Sequence, residues 1–276
     1  MDSSFQPEVK RAMGNIELNY LLFHPIFSGI LGLILGSFYN VCISRYLQNE
    51  SIIRPASHCP KCGHSLSWWE NIPLFSFALL KARCRHCQAS ISWQYPLIEA
   101  TSGFWALLLA LQYGLSWPWI VFMIFGGLLI IMSTIDLKIF ILPDLLTISG
   151  IVIAIPSAIY LLDHTWTSTL LGGFLGAGSF LILQKGYKIL KGIEGLGTGD
   201  IKLISLLGLL LGWPSLPFIV FIGAISGLIV SIIFFYTQII KQGMQTAIPF
   251  GPFLSFGGMT YMLYGPELWA LYIGGF

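Results

Sequence analysis

Two aspartates beside apolar runs are the residues of this sequence best suited to chemistry. Asp200 follows a glycine-rich stretch, residues 195–199, and opens onto an almost purely apolar run. Asp136 lies 64 positions earlier, at the end of another apolar run. A carboxylate at a membrane edge is energetically costly, so its presence indicates a function. We therefore predict that the fold brings Asp136 and Asp200 together in one site.

Two neighbouring carboxyl groups can hydrolyse a peptide bond without a metal or a cofactor. Because both cannot ionise cheaply at short distance, one keeps a proton while the other is charged. The charged group activates water, and the neutral group donates to the scissile carbonyl oxygen, as in aspartic proteases. For either aspartate alone, the alternative is a helix cap or an ion pair with Lys138 or Lys202.

Four further residues are predicted to support the loop that carries Asp200. Gly197 and Gly199 would let the backbone approach a substrate closely and would supply unusual backbone dihedral angles. Lys202 and Asp144 are assigned to the same supporting set. For Asp144, which directly follows Pro143, the simpler interpretation is an acid in the first turn of a helix.

Four of the five cysteines form two C-x-x-C pairs on either side of residues 63–83. Two such knuckles at this spacing predict a tetrahedral zinc site that is structural, because four thiolates leave no coordination position open for water. Redox chemistry and a knuckle without metal are the alternatives. Cys42, within an apolar run, is interpreted as a packed apolar residue. The predicted zinc ligands are Cys59, Cys62, Cys84 and Cys87.

The composition is that of a membrane protein. Hydrophobic residues make up 55% of the chain, charged residues 9%, and the mean hydropathy is +0.79. A soluble domain carries roughly a quarter charged residues. We predict an all-α polytopic membrane protein with about eight transmembrane helices and a small cytoplasmic insertion that holds the zinc knuckles. The predicted helices cover residues 21–43, 97–113, 118–135, 143–162, 168–184, 201–212, 216–238 and 249–274.

The distribution of basic residues orients these helices. Residues 45–95 carry a basic excess next to two spans, which places this segment in the cytoplasm. Both termini then lie outside, and Asp136 and Asp200 fall on the cytoplasmic side. Residues 1–20 are polar and are expected to lie along a membrane face. The span over residues 201–212 is too short for a full crossing, which needs about 20 residues, so Asp200 would sit slightly inside the membrane plane.

Several short motifs follow one another along nearly the whole chain. They are Gly36-Ser37-Phe38-Tyr39-Asn40-Val41, the two cysteine pairs, Glu70-Asn71-Ile72-Pro73, Leu142-Pro143-Asp144, Gly195-Leu196-Gly197-Thr198-Gly199-Asp200-Ile201-Lys202-Leu203 and Pro249-Phe250-Gly251-Pro252. With this combination the sequence resembles the prepilin peptidase family, the bifunctional enzymes of type IV pilus, type II secretion and competence systems. The resemblance also places it with the G-x-G-D intramembrane aspartyl proteases.

The resemblance implies an activity, cofactors and partners. Family members cleave the short basic leader from type IV prepilins and type II secretion pseudopilins after a glycine, at the cytoplasmic face of the bacterial inner membrane. They then methylate the new amino terminus with S-adenosylmethionine. The catalytic pair would be Asp136 and Asp200, and zinc would be the metal of the four cysteines. The chain would sit in the lipid bilayer, and no nucleic-acid partner is expected.

The resemblance also divides the chain into three parts. Residues 1–44 would form an amino-terminal segment with the first helix, residues 45–96 the zinc-binding domain linked to methyltransferase function, and residues 97–276 the membrane peptidase domain. Since the sequence lacks a G-x-G-x-x-G motif after a strand, the methyl-donor site is not of the Rossmann type. The predicted methyl-donor residues are Asn40, Glu70 and Asn71.

Two other classes of protein compete with an enzyme. Membrane acids also mark proton and cation pathways, but a transporter should show an internal repeat, and none is convincing here. A zinc-knuckle scaffold would leave Asp136 and Asp200 without a role. The adjacent Trp68 and Trp69 with Glu70 could form a ligand pocket, although an anchor at the membrane interface is the simpler interpretation.

Overall fold

The computed structural model describes residues 5–51, 53, 57–192, 195–236 and 248–274. Over these residues the chain is helical, and its only β-bridges are two isolated pairs near the cysteines. The prediction of an all-α membrane protein is confirmed. The helices are α1 (Phe5–Gln48), α2 (Phe75–Leu79), α3 (Gln94–Tyr113), α4 (Trp117–Ile139), α5 (Asp144–Tyr160), α6 (Trp166–Lys191), α7 (Thr198–Leu211), α8 (Ser215–Tyr236) and α9 (Gly251–Gly274), with a short 3-10 helix at Trp68–Asn71.

Four of the described helices are long and apolar enough to cross a membrane. The other four predicted spans also form helices, namely α3, α5, α7 and α9, and each lies within a few residues of its predicted range. Two helices depart clearly from their predictions: α1 begins at Phe5 rather than at residue 21, and α6 ends at Lys191 rather than at residue 184. Pro7 lies in the first turn of α1, where proline does not break a helix. The four long apolar segments are His24–Gln48, Trp117–Ile139, Trp166–Lys191 and Ser215–Phe234.

The first of two compact units, Met1–Met123, contains the α1 and α3 pair. Small residues line the contact between these helices. A Cβ atom added to Gly32 would lie 2.5 Å from the Ala106 Cβ, and one added to Gly36 would lie 2.7 Å from the Glu99 Cα. Glycine at these positions lets the two helix backbones approach closely, as is typical of membrane helices.

The second compact unit, Ile124–Phe276, is built around α7, which has 14 residues. This helix is about 21 Å long at 1.5 Å per residue, which is less than the hydrocarbon core of a bilayer, about 30 Å. Helices α5, α6 and α9 pack on it through glycines. A Cβ atom added to Gly172 would collide with the Gly208 backbone, and one added to Gly258 would lie 2.7 Å from the Leu207 side chain. This packing buries most of α7.

Candidate functional site

The two predicted catalytic aspartates lie at helix ends within the second unit. Asp136 is in the last turn of α4, and Asp200 is the third residue of α7. Both are buried, with 5% and 9% of their surface exposed. Their carboxyl groups are close enough to interact electrostatically, and two charged carboxylates there would repel each other. The structure therefore brings Asp136 and Asp200 into one site.

Each carboxyl group accepts a hydrogen bond from the backbone of a glycine at the start of a helix. Gly197, the N-cap residue of α7, donates its N–H to Asp200, so that this third-position acid caps its own helix. Gly251, the first residue of α9, donates its N–H to Asp136. A Cβ atom added to Gly251 would lie 2.5 Å from the Asp136 Oδ2, so a larger residue must displace that carboxyl group.

Leu142 forms an apolar wall shared by both halves of the site. The residue is buried, with 5% of its surface exposed. Its Cβ lies 2.9 Å from the position of a Cβ added to Gly199, and its Cδ1 lies 3.3 Å from one added to Gly251. Because these two glycines adjoin the aspartates, Leu142 limits both the space and the water available to the carboxyl groups.

The glycines of the loop before α7 serve close packing rather than unusual backbone geometry. Gly197 has φ −72° and ψ 146°, and Gly199 lies within the helix, so the prediction of unusual dihedral angles at these positions is wrong. Any residue can adopt an extended or a helical backbone. What these positions require is space, because Gly199 faces Leu142 at short range.

Two side chains of α6 hold the same loop. The Gln184 Nε2 donates to the Leu196 carbonyl oxygen at 2.8 Å. The Tyr187 ring packs on Gly195, where an added Cβ would lie 2.5 Å from the ring. The hydrogen bond and the ring contact together restrict the chain just before the N-cap residue of α7. They therefore act on the position of Asp200.

Lys202 and Asp144, both predicted to support the loop, pair with each other. The Lys202 Nζ lies 2.5 Å from the Asp144 Oδ1 and links α7 to α5. The Asp144 side chain is 66% exposed, and that of Lys202 is 34% exposed. Asp144 is also the first residue of α5, which agrees with its simpler interpretation as a first-turn acid. Lys202 thus has an ion-pair partner other than Asp200.

The four predicted zinc ligands form one cluster in the first unit. Their sulfur atoms all lie within 4.8 Å of one another, and the Cys59 and Cys87 sulfurs are 3.9 Å apart. Zinc bonded to four sulfurs at about 2.3 Å in a tetrahedron separates them by about 3.8 Å. Burial acts to raise the pKa of Cys59, but backbone N–H groups of Lys61 and Cys62 and neighbouring thiols lower that pKa to about 7. The cluster therefore fits a tetrahedral thiolate-bound metal.

The two cysteine knuckles have the same backbone geometry, 25 residues apart. In the first, Cys59 N donates to His64 O at 2.9 Å and Gly63 N donates to Cys59 O at 2.9 Å. In the second, the equivalent bonds are Cys84 N to Ala89 O at 2.8 Å and Gln88 N to Cys84 O at 3.0 Å. Each turn needs a left-handed residue, which is Gly63 with φ +70° and then Gln88 with φ +57°. The insertion is thus a pair of matched knuckles.

The three predicted methyl-donor residues occupy different surroundings. The Asn40 side chain is buried and bonds to the Tyr95 carbonyl oxygen at 3.1 Å. The Glu70 carboxylate accepts from the Ser67 N–H at 2.7 Å and caps the 3-10 helix. Asn71 is exposed at the end of that helix. Asn40 and Glu70 therefore have structural partners, and their assignment to a methyl-donor site stays a prediction.

Sequence reasoning missed Leu142 and Gly251 as members of the aspartate site. Neither has a reactive side chain, so residue chemistry gave no reason to select them. The available signal was their place in two of the short motifs that carry the family resemblance. Gln184 and Tyr187 belong to none of those motifs, and only the folded structure relates them to the loop.

Two family models match this chain. The model described as "Bacterial Peptidase A24 N-terminal domain" matches residues 30–113, and the "Type IV leader peptidase family" model matches residues 123–232. No solved structure matches.

Curated relatives agree with the family models. A protein of Burkholderia pseudomallei named "Prepilin leader peptidase/N-methyltransferase" is 32% identical, over 90% of this chain and 88% of its own. Proteins of the same name from Pseudomonas aeruginosa (30% identical, over 93% and 97%) and Neisseria gonorrhoeae (34% identical, over 88% and 91%) also match. These identities extend over both compact units. The chain therefore belongs to the type IV leader peptidase family.

Proposed function

We propose that this chain cleaves the leader peptide of type IV prepilins and then methylates the new amino terminus. Membership of the leader peptidase family supports this activity, as does the shared name of its relatives. The observation that carries the peptidase half is the buried pair Asp136 and Asp200, each held by a glycine N–H. We extend the proposed substrates to type II secretion pseudopilins.

The proposed peptidase mechanism uses the two carboxyl groups in opposite protonation states. The charged carboxylate of the pair takes a proton from a water molecule, whose oxygen attacks the scissile carbonyl carbon. The protonated carboxyl group donates its proton to the carbonyl oxygen as the tetrahedral intermediate forms. Collapse of the intermediate breaks the C–N bond, and the leaving amine takes a proton from the pair. Gly197 and Gly251 hold the carboxyl groups, and Leu142 restricts access of bulk water.

The orientation of the site is proposed from charge. Asp136 lies near the end of α4, where Lys138 follows, and Asp200 lies just beyond the end of α6, which carries Lys185, Lys188 and Lys191. Basic residues beside membrane helices favour the cytoplasmic side. The proposed location is therefore the inner membrane, with the aspartates at its cytoplasmic face.

We propose zinc as the metal of the four-cysteine cluster and S-adenosylmethionine as the methyl donor. Cys59, Cys62, Cys84 and Cys87 would hold zinc in a closed site that stabilises the two knuckles. The methyl donor would supply the methyl group for the new amino terminus. The proposal assigns methyl transfer to residues 45–96 and peptide cleavage to residues 97–276, after the amino-terminal segment 1–44.

The test uses full-length protein purified in detergent, with a prepilin and a pseudopilin as separate substrates. Leader cleavage and the mass of the mature amino terminus are followed with and without S-adenosylmethionine. Asp136→Asn and Asp200→Asn should each abolish cleavage, while the matched control Asp163→Asn, at an exposed position, should retain it. Cleavage by either dyad variant at the wild-type rate would refute the peptidase assignment. Cleavage without added methyl mass would limit the chain to the peptidase reaction.

A further inference from the structure

The short helix α2 exposes one apolar face. Phe75, Ala78 and Leu79 are all exposed, with 57% of the Phe75 surface and 56% of the Leu79 surface accessible. Their spacing of three and four residues places them on the same side of the helix. Ser76 and Phe77, on other sides, are half-buried. The exposed side of α2 is therefore wholly apolar, which is not the pattern of a water-facing helix.

A hydrogen bond fixes the height of α2 along the membrane helices of the first unit. The Leu74 N–H, just before α2, donates to the Glu99 Oε2 of α3 at 2.8 Å. Glu99 in turn packs against Gly36 of α1. Gly36 lies 12 residues before the end of α1 at Gln48, or about 18 Å at 1.5 Å per residue. The Glu99 side chain extends from this level to the Leu74 N–H, so the start of α2 lies beside the span His24–Gln48 and before its polar end.

The surfaces at this height are apolar. Ile34 and Phe38 of α1 are 55% and 51% exposed, within two turns of Gly36. Trp93, at the start of α3, is 75% exposed, and its ring packs on Phe77 with centroids 5.0 Å apart. Tryptophan favours the boundary between headgroups and acyl chains. The apolar face of α2 therefore lies at a depth similar to that of exposed apolar residues of a membrane span.

Basic residues follow the apolar face directly. Lys81 and Arg83 come two and four residues after the end of α2, and both are exposed. An apolar face with adjacent cations is the pattern of helices that lie in the membrane interface and attract anionic lipid headgroups. A basic peptide would be repelled by the same cations.

We propose that α2 is an interfacial helix, with Phe75 and Leu79 in the acyl boundary of the bilayer and Lys81 and Arg83 on anionic headgroups. The insertion is then attached to the membrane surface by α2 as well as by α1 and α3. This interaction does not depend on the proposed activities, so its test can fail independently of them. The lipid is identified by its charge, as an anionic phospholipid.

The test places a photoreactive residue on the proposed face in nanodiscs of phosphatidylglycerol and phosphatidylcholine. Leu79→p-benzoylphenylalanine and Phe75→p-benzoylphenylalanine should each give lipid adducts on irradiation, detected by intact mass. p-Benzoylphenylalanine in place of Phe104, which is 63% exposed on α3, is the positive control. p-Benzoylphenylalanine in place of Gln88, which is exposed on the second knuckle, is the negative control. Thermal melts establish that each variant is folded.

Adducts at positions 75 and 79 but not at 88 would support the proposal. Lipid adducts at 104 alone, or an adduct with the mass of a second copy of the chain at 79, would overturn it. The double variant Lys81→Glu, Arg83→Glu tests the charges. It should lower the ratio of phosphatidylglycerol to phosphatidylcholine adducts at position 79 at least about twofold, while leaving the ratio at 104 unchanged. An equal ratio in both proteins would overturn the role given to the two cations.

Discussion

Replacement of Gly251 by alanine tests the geometry of the aspartate site directly. The added Cβ would lie 2.5 Å from the Asp136 Oδ2, whereas ordinary contacts of a Cβ begin at 3.4 Å. The Asp136 carboxyl group must therefore move by about 0.9 Å. Because a catalytic group displaced by about 1 Å can cost a factor of about 100 in rate, we expect kcat for leader cleavage to fall about 100-fold. This corresponds to about 2.7 kcal/mol of transition-state stabilisation.

The assay is steady-state cleavage of a prepilin, with kcat and KM measured separately. Alanine keeps the backbone N–H that donates to Asp136, so a loss of rate reports displacement of the carboxyl group and not loss of the donor. Gly178→Ala is the matched control, since a Cβ added to Gly178 of α6 meets nothing within 4 Å. Full activity in a folded Gly251→Ala protein would falsify the geometry. So would an equal loss in both variants.

Four further predictions concern the apolar wall at Leu142, the backbone at Ala82, the zinc ligand Cys59 and the pH dependence of cleavage. Leu142→Ala should lower kcat about tenfold by opening the apolar wall, and Leu142→Met should retain most activity, since its volume is nearly conserved. Ala82→Gly should raise the free energy of unfolding by about 1 kcal/mol in thermal melts, because Ala82 has φ +57°; Ala89→Gly is the control. Cys59→Ser should reduce bound zinc, measured by elemental mass spectrometry, and undiminished zinc would contradict the ligand set. The cleavage rate should be bell-shaped in pH, as one carboxyl group ionises and the other then loses its proton; a single ionisation would contradict the shared-proton mechanism.

The helices could be predicted from hydropathy, but their ends could not. Hydropathy predicts a span over residues 168–184, whereas α6 covers Trp166–Lys191. The difference is the segment that carries Lys185, Lys188 and Lys191. Hydropathy marks only the part of a helix that lies in lipid, whereas lysine is a good helix former that continues the hydrogen-bonded ladder into water. The early start of α1 at Phe5 has the same origin.

The aspartate pair was predictable because its signal is the residue type itself. A carboxylate next to a membrane span is rare enough to be noticed in a sequence. The support of Asp136 was not predictable, because Gly251 follows it by 115 positions and contributes only a backbone N–H. Phe140 is a similar case, since it ends α4 with φ +56°, where glycine is the usual residue. Neither feature can be read from the residue type alone.

Each glycine of the site is needed either for its backbone freedom or for the space that a side chain would fill. Alanine variants at Gly197, Gly199 and Gly251 distinguish these two reasons. If glycine were needed for its backbone freedom, Gly197→Ala would be as harmful as Gly251→Ala, but φ −72° at Gly197 is ordinary for alanine. If space is the reason, the order follows the distances. A Cβ at Gly197 would lie 3.3 Å from the Asp200 Oδ2, one at Gly199 would lie 2.9 Å from the Leu142 Cβ, and one at Gly251 would lie 2.5 Å from the Asp136 Oδ2.

Gly197→Ala should therefore retain most of the cleavage rate, Gly199→Ala should lose an intermediate amount, and Gly251→Ala should lose most. Equal losses for all three alanine variants would mean that these glycines serve backbone conformation after all.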